Sequence, residues 1–132
     1  MKDKKDPLKS LFTSDTEATK RYQLASLVRS FLSIDQNSRE FNFLPAFSEI
    51  DGNMAKIEIL LAGAKARSLH FKEPDGLLPG DIIAIGVMAE GSVKSSLKKL
   101  FDNHKIKKDE EGRYFIPTYR IPELIKQFNK QP

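Results

Sequence analysis

A chain of 132 residues suits one compact domain with a small appendage. Apolar residues make up 39 % of the chain and charged residues 30 %, which supports a real core beneath a solvated surface, and no apolar run is long enough to span a membrane. The absence of cysteine excludes disulfides, thiolate metal sites and cysteine nucleophiles.

Positive charge is concentrated in the last third of the chain. Residues 92–132 contain 10 Lys and Arg against 5 Asp and Glu, whereas residues 1–91 contain 12 against 13. The formal net charge of +4 is small, but this distribution favours an anionic partner for the C-terminal third. The basic start, MKDKKDPLKS, is not followed by the apolar segment of a secretory signal, so we expect a cytoplasmic protein.

The first predicted element is a helix in the segment SDTEATKRYQLASLVRSFLSI. It follows a flexible basic arm over residues 1–13, and Ser14, Asp15 or Thr16 is suited to cap it. One face is apolar, because four residues recur at helical spacing: Leu24, Leu27, Val28 and Phe31. This stripe either folds back on the core of the same chain or pairs with a second copy in a homodimer.

Residues 14–53 are interpreted as an N-terminal helical extension. Residues 35–38 are turn formers, Phe41 and Phe43 alternate as in a short strand, and the segment AFSEI is compatible with a helical turn. Four aromatic residues here are typical of core packing, although a ligand pocket between the extension and the core is an alternative: Phe31, Phe41, Phe43 and Phe47.

The middle of the chain predicts a long helix in MAKIEILLAGAKARSLHF, with apolar residues on two faces, as in a helix packed from both sides. KEPDGLLPGD then ends it with two prolines and two glycines. Pro79 opens a short helix that extends to about Met88. A break at Glu90-Gly91 follows, and Ser92 is suited to cap a second helix through residue 102.

The remaining segments predict a hairpin and a last helix. KIKKDEEGRYFIP is expected to form two strands, over residues 106–116, joined by the turn DEEG, with Gly112 at a positive φ and with Tyr114 and Ile116 facing the core. Pro122 opens the final helix in PELIKQFNK.

The order of these elements resembles a winged helix-turn-helix domain, and the segment IIAIGVMAEGSVKSSLKKLFDNHKIKKDEEGRYFIP carries the resemblance. It implies a mainly α fold with a small β-hairpin wing: an N-terminal helical extension, then a winged helix-turn-helix domain with a C-terminal helix over residues 54–132. Two departures are Leu78, where the family commonly has Ser or Thr, and a turn about one residue longer than usual. Asp81 is placed to substitute partly for the missing hydroxyl.

The resemblance implies that the helix over residues 92–102 enters the DNA major groove and that the wing contacts the adjacent backbone or minor groove. The residues placed there are Ser92, Lys94, Ser95, Lys98 and Lys99 on the helix and Lys107, Lys108 and Arg113 on the wing. The alternative for the lysines is a solvated surface. DNA contact is favoured because Asp102 is expected to be the only acid of the helix and small hydroxyl residues are interleaved with the lysines.

This face lacks Arg, Asn and Gln, the residues that make bidentate base contacts, so it predicts phosphate positioning with modest sequence readout. Asn103 and His104, at the helix end, are more typical of caps than of base readers. The acidic wing tip, residues 109–111, is expected to stay away from DNA.

We therefore expect a transcriptional regulator or accessory factor that binds double-stranded DNA, with a protein–protein interaction module or assembly subunit as the alternative. No enzymatic activity, cofactor or metal is expected. His70 and His104 lack metal-ligand spacing, and Ser68 and His70 point apart on a helix.

Overall fold

The computed structural model describes residues 17–129, with side chains from residue 21 onward, so the arm over residues 1–13 and the predicted cap residues 14–16 lie outside the described part. The chain is mainly helical with small antiparallel hairpins. Within residues 17–129 the elements are α1 (Glu17–Val28), β1 (Leu32–Ile34), β2 (Phe41–Phe43), α2 (Pro45–Ser48), α3 (Asn53–Phe71), α4 (Pro79–Ile85), α5 (Glu90–Asp102), β3 (Lys107–Lys108), β4 (Tyr114–Phe115), a 3₁₀ turn (Thr118–Arg120) and α6 (Ile121–Asn129).

Helix α3 is the central element, and its prediction as a helix packed from both sides is confirmed. It contacts α1 and β1 on one side and α5 and β4 on the other. Its middle is an unbroken buried run, which includes Ile57, Ile59, Leu60, Leu61 and Ala64. A helix buried all round needs two apolar faces, and this sequence supplies both.

The apolar stripe of α1 is buried within the chain. Leu24, Leu27 and Val28 join the common core, and α1 packs on α3 and α6. The intrachain alternative is therefore the one observed, and a homodimer through this helix is left without the apolar face on which it was based. Phe31 was wrongly placed on the helix, because α1 ends at Val28. It packs edge-on against Phe128, at 5.3 Å between ring centroids.

A hairpin of β1 and β2 follows α1. Strand β2 was predicted, whereas β1 was wrongly assigned to the preceding helix, and Leu32 pairs with Phe43 in the observed register. Asp35 makes the turn, since its Oδ2 accepts hydrogen bonds from the backbone N–H groups of Asn37 (3.0 Å) and Ser38 (2.8 Å). These bonds lower the pKa of the Asp35 carboxyl, and the bond from Ser38 N–H has the largest effect.

The aromatic residues of this hairpin serve mainly as packing. Phe43 lies 4.5 Å from Phe47 and 6.2 Å from Phe41 between ring centroids, and Phe41 and Phe43 also line an open cleft against α4. The cavity between α1 and α3 is about 170 Å³ and is lined by other residues, including Leu24 and Ser68. A cavity of that size is small for an organic ligand. A larger open cleft of about 520 Å³ lies between α1, the start of α3 and α6 and is lined by Phe31, so a ligand pocket beside the extension stays a prediction.

Helix α4 ends three residues earlier than predicted. Its last residue is Ile85, because Gly86 adopts a left-handed conformation (φ 81°) that terminates it. At its start, Asp81 Oδ2 accepts a hydrogen bond from the backbone N–H of Leu78 at 3.1 Å. Asp81 thus partly replaces the missing Ser or Thr hydroxyl, as expected, by accepting a hydrogen bond from the residue before Pro79.

The predicted hairpin over residues 106–116 is confirmed, with Lys107 paired to Phe115 and Gly112 at φ 91°. Leu77, just before α4, makes a further antiparallel bridge to Tyr114, so a third short segment joins the sheet. Gly76 permits this approach: it has φ 94°, and a Cβ there would lie 2.5 Å from the Tyr114 carbonyl oxygen.

Helix α6 closes the fold against α1 through Leu124 and its half-buried neighbours Ile125 and Phe128. The 3₁₀ turn that leads into α6 is tied to α3 by an ion pair buried in the core: Arg120 Nη1 donates to Glu58 Oε2 at 2.7 Å. The side chains of Arg120 and Glu58 are only 4 % and 5 % exposed. This pair joins residues 62 positions apart, and the sequence offered no sign of it.

Candidate nucleic-acid interface

Helix α5 carries five of the eight predicted DNA contacts, and its packing fixes which side chains are exposed. Val93, Leu97 and Leu100 are buried in the core together with Ser96. At about 100° per residue, this leaves the opposite surface to the remaining side chains. Lys94, Ser95, Lys98 and Lys99 are exposed and Ser92 is half-buried, so the structure brings these five residues to one helix surface.

The predicted start of α5 was wrong. The helix begins at Glu90 after Ala89, whose carbonyl oxygen accepts the first helical hydrogen bond from Val93 N–H at 3.0 Å. Ser92 therefore lies inside the first turn and is not the cap, and Gly91 is helical. The expected break at Glu90 is absent, and the Glu90 carboxylate instead lies at the positive end of the helix dipole, where an acid is favourable.

This earlier start also corrects the electrostatics of the lysines. Lys94 Nζ lies 3.0 Å from Glu90 Oε2, and Lys98 Nζ lies 3.0 Å from Asp102 Oδ2. The expectation that Asp102 is the only acid of the helix was therefore wrong. Both pairs are solvent-exposed, Lys98 to 76 %, and such pairs contribute only about 0.3–0.5 kcal/mol, so they exchange readily for a phosphate. Lys99 has no carboxylate within 4.0 Å among the side chains of residues 21–129.

The exposed surface of α5 has two flanks. Lys94 and Lys98 lie on the same flank as Phe101, which contacts Tyr114 of the wing at 6.0 Å between ring centroids. Ser92, Ser95 and Lys99 instead line an open groove of about 610 Å³ against the start of α3. The predicted residues thus form one continuous polar helix surface, but only one of its flanks faces the wing.

The wing lysines are exposed and lie over aromatic rings. Lys107 Nζ is 5.6 Å from the ring centroid of Tyr119, and Lys108 Nζ is 5.2 Å from that of Tyr114 and 5.8 Å from that of Phe101. Lys108 thereby continues the positive flank formed by the lysines of α5. Both ammonium groups contact aromatic rings, and within the described residues neither has a carboxylate partner.

Arg113 serves the wing tip itself. Its Nη1 lies 3.2 Å from Asp109 Oδ2 and 3.5 Å from Glu111 Oε1, and the side chain is half-buried. Burial opposes ionisation of Asp109, yet hydrogen bonds from the backbone and side chain of Arg113 and from Glu111 N–H hold its pKa below the ordinary value. The charge of Arg113 is compensated locally, which makes it the weakest of the eight predicted contacts.

The end of α5 agrees with the interpretation of its residues as caps. Asn103 is the C-cap, and its N–H bonds to the Lys99 carbonyl oxygen at 3.0 Å. His104 takes a left-handed conformation with φ 61° and turns the chain toward β3. Tyr119, Arg120 and Lys105, which adjoin this end, were not singled out from the sequence, because no periodic pattern marks them.

The residues weighed for catalysis are used structurally. Ser68 Oγ donates to the Lys65 carbonyl oxygen at 2.7 Å, and His70 packs on Phe71 at 4.7 Å between ring centroids. In the described ranges no group of three or more His, Cys, Asp or Glu is placed to hold a metal ion. The absence of enzymatic activity stays a prediction.

Comparisons of the chain with protein-family models, with curated protein sequences and with solved structures found no match. Among the helices that the structure describes, none combines the length and the apolar character needed to cross a membrane.

Proposed function

We propose that residues 53–117 form a winged helix-turn-helix unit that binds double-stranded DNA, as a transcriptional regulator or an accessory DNA-binding factor. The order α3, Leu77 bridge, α4, α5 and β3–β4 supports the fold assignment. The turn between α4 and α5 spans residues 86–89, and an isolated antiparallel bridge between Leu77 and Tyr114 joins the start of this segment to the hairpin.

The observation that carries the proposal is the continuous positive surface of α5 and the wing. Its continuous part consists of Lys94 and Lys98 on the helix and Lys108 on the adjacent strand, all exposed. Lys99 adds positive charge on the groove side of α5, and Lys107 lies over Tyr119 beside this surface. Such a surface neutralises phosphates and releases their counterions, which gives affinity that depends steeply on salt. The serines allow close approach to the backbone, and the lack of Arg, Asn and Gln on α5 predicts weak sequence preference.

The test is binding to random-sequence duplex DNA across a salt series, with Lys98→Glu/Lys99→Glu beside wild type. Each phosphate contact contributes a slope of about 0.9 in the plot of log affinity against log salt, so losing two contacts should make it shallower by about 1.8. The matched control is Arg29→Glu/Lys72→Glu, which makes the same charge change at exposed positions away from α5. If both double variants lose the same DNA affinity, the loss is caused by net charge and not by contacts of α5 with DNA.

A protein-binding role is the second candidate, and a specific observation favours it. Phe101 is 42 % exposed and Leu78 is 39 % exposed, both beside the wing. A protein partner on this apolar surface would bind with affinity that survives salt. Absence of duplex binding at low salt, together with salt-resistant binding of a protein lost in Phe101→Ser, would replace the DNA proposal with this one.

A further inference from the structure

A second polar depression lies outside the α5 surface, between the end of α5 and the start of α6. We call it the Tyr119 hollow; its volume is about 530 Å³, within the range of sites for small organic ligands. Its lining includes Lys105, Tyr119, Arg120, Glu123 and Lys126.

One wall of the hollow is an aromatic ring open to solvent. Tyr119 is 53 % exposed, and the ammonium group of Lys107 lies 5.6 Å from its ring centroid. An exposed aromatic face beside a lysine is the arrangement with which proteins stack unpaired bases and attract the phosphate attached to them.

The lining of the hollow also includes Arg120, whose guanidinium is buried and has one nitrogen without a hydrogen-bond acceptor. Arg120 Nη1 donates to Glu58 and to the Lys105 carbonyl oxygen (3.3 Å), and Nε donates to Glu123. Nη2 is buried and has no hydrogen-bond partner among the described residues. An unpaired buried N–H is unfavourable, and Nη2 is closed to solvent, so Arg120 contributes its positive charge to the hollow and no hydrogen bond from Nη2.

The charge balance of the hollow is positive. Both nearby acids, Glu58 and Glu123, are engaged by Arg120. Lys105 and Lys126 have no carboxylate within 4.0 Å in the part of the chain that the structure describes. Two free ammonium groups beside an exposed ring match a ligand that has both a phosphate and an aromatic base.

We infer that the Tyr119 hollow binds a nucleotide, with the base stacked on Tyr119 and the phosphate held by Lys105 and Lys126 beside the positive charge of Arg120. This site is separate from the proposed duplex surface, because a base paired within a duplex does not offer its face to a side chain. The nucleotide is therefore either free or part of an unpaired strand.

The experiment measures binding of two probes, a fluorescein-labelled oligothymidylate by anisotropy and AMP by calorimetry. Tyr119→Ala should weaken binding about 5- to 150-fold, the loss expected for one stacked base, and Tyr119→Phe should stay within about twofold of wild type. Tyr22→Ala is the matched control, since it removes another exposed tyrosine, on α1. Lys105→Gln/Lys126→Gln should weaken binding and reduce its salt dependence.

The chain also supplies its own probe. It has three tyrosines and no tryptophan, so a base stacked on Tyr119 should quench that residue's share of the tyrosine emission. The quenching should be lost in both Tyr119→Phe and Tyr119→Ala, because either change removes the phenol, and kept in Tyr22→Ala. Binding of AMP as tight as that of the oligomer identifies a free nucleotide as the ligand, and binding of the oligomer alone identifies an unpaired strand. Either result supports the inference.

Two results would overturn it: neither probe binds, or Tyr119→Ala binds as wild type does. The inference and the duplex proposal fail separately. Lys98→Glu/Lys99→Glu should lose duplex affinity, while Tyr119→Ala retains it. For oligothymidylate, Tyr119→Ala should lose affinity, while Lys98→Glu/Lys99→Glu should lose no more than Arg29→Glu/Lys72→Glu, which measures the effect of net charge.

Discussion

The buried pair of Arg120 and Glu58 makes a sharp stability prediction. Replacing Arg120 with Met would leave the Glu58 carboxylate in the core with only a 3.4 Å hydrogen bond from Gln127 Nε2. Removing one member of a buried ion pair costs about 3 to 5 kcal/mol, because the remaining charge has lost both solvent and partner. Because each kcal/mol lowers Tm by about 3 to 5 °C in a chain of this size, we expect a decrease of about 10 to 20 °C.

Urea unfolding of four proteins at neutral pH measures this effect: wild type, Arg120→Met, Glu58→Leu and the double variant. The double variant should recover most of the lost free energy of unfolding, since two apolar side chains fill the site without an isolated charge. Lys98→Met, which breaks an exposed pair, is the control and should change the free energy by no more than about 0.5 kcal/mol. A cost below about 1 kcal/mol for Arg120→Met would refute the argument, because it would mean that water reaches Glu58.

Three further predictions concern single positions. The pKa of Asp109 is lowered in the folded wing, so its contribution to stability is present above the unfolded value of about 3.9 and is lost as the pH falls through the folded pKa. In Asp109→Asn the free energy of unfolding should therefore decrease less between neutral and acidic pH than it does in wild type. An equal decrease in both proteins would contradict the hydrogen bonds to Asp109. Gly76→Ala should cost about 2 kcal/mol or more, because of its positive φ and the close Tyr114 carbonyl; a stable variant by thermal melting would show that the strand bridge is dispensable. Gly91→Ala meets no atom within 4 Å and should stabilise by about 0.5 to 1 kcal/mol, whereas no gain would indicate that α5 begins after Gly91.

The sequence was most informative where one pattern decided the structure. The two apolar faces of α3 predicted its central position, and the turn DEEG with Gly112 predicted the second hairpin. These predictions depend on neighbours a few residues apart, where the periodicity of the backbone is expressed directly.

Its failures share a different cause. Strand β1 continues the apolar pattern of α1, so nothing local separates Leu32 from the helix, and its strand geometry depends on pairing with Phe43. The start of α5 at Glu90 was missed because glycine at the next position suggested a break. The lysines of α5 are exposed as expected, whereas the ion pair of Lys94 with Glu90 was missed because the helix was expected to begin after Glu90.

The contacts of the last helix set the order in which the chain can complete its fold during synthesis. A ribosome releases α1, α3 and α5 well before Arg120 and α6. Until then Glu58 has no guanidinium partner, and Phe31 lacks the ring of Phe128 on which it packs. The domain therefore completes its core only after α6 has left the ribosome, because the partners of Glu58 and Phe31 both arrive with that segment.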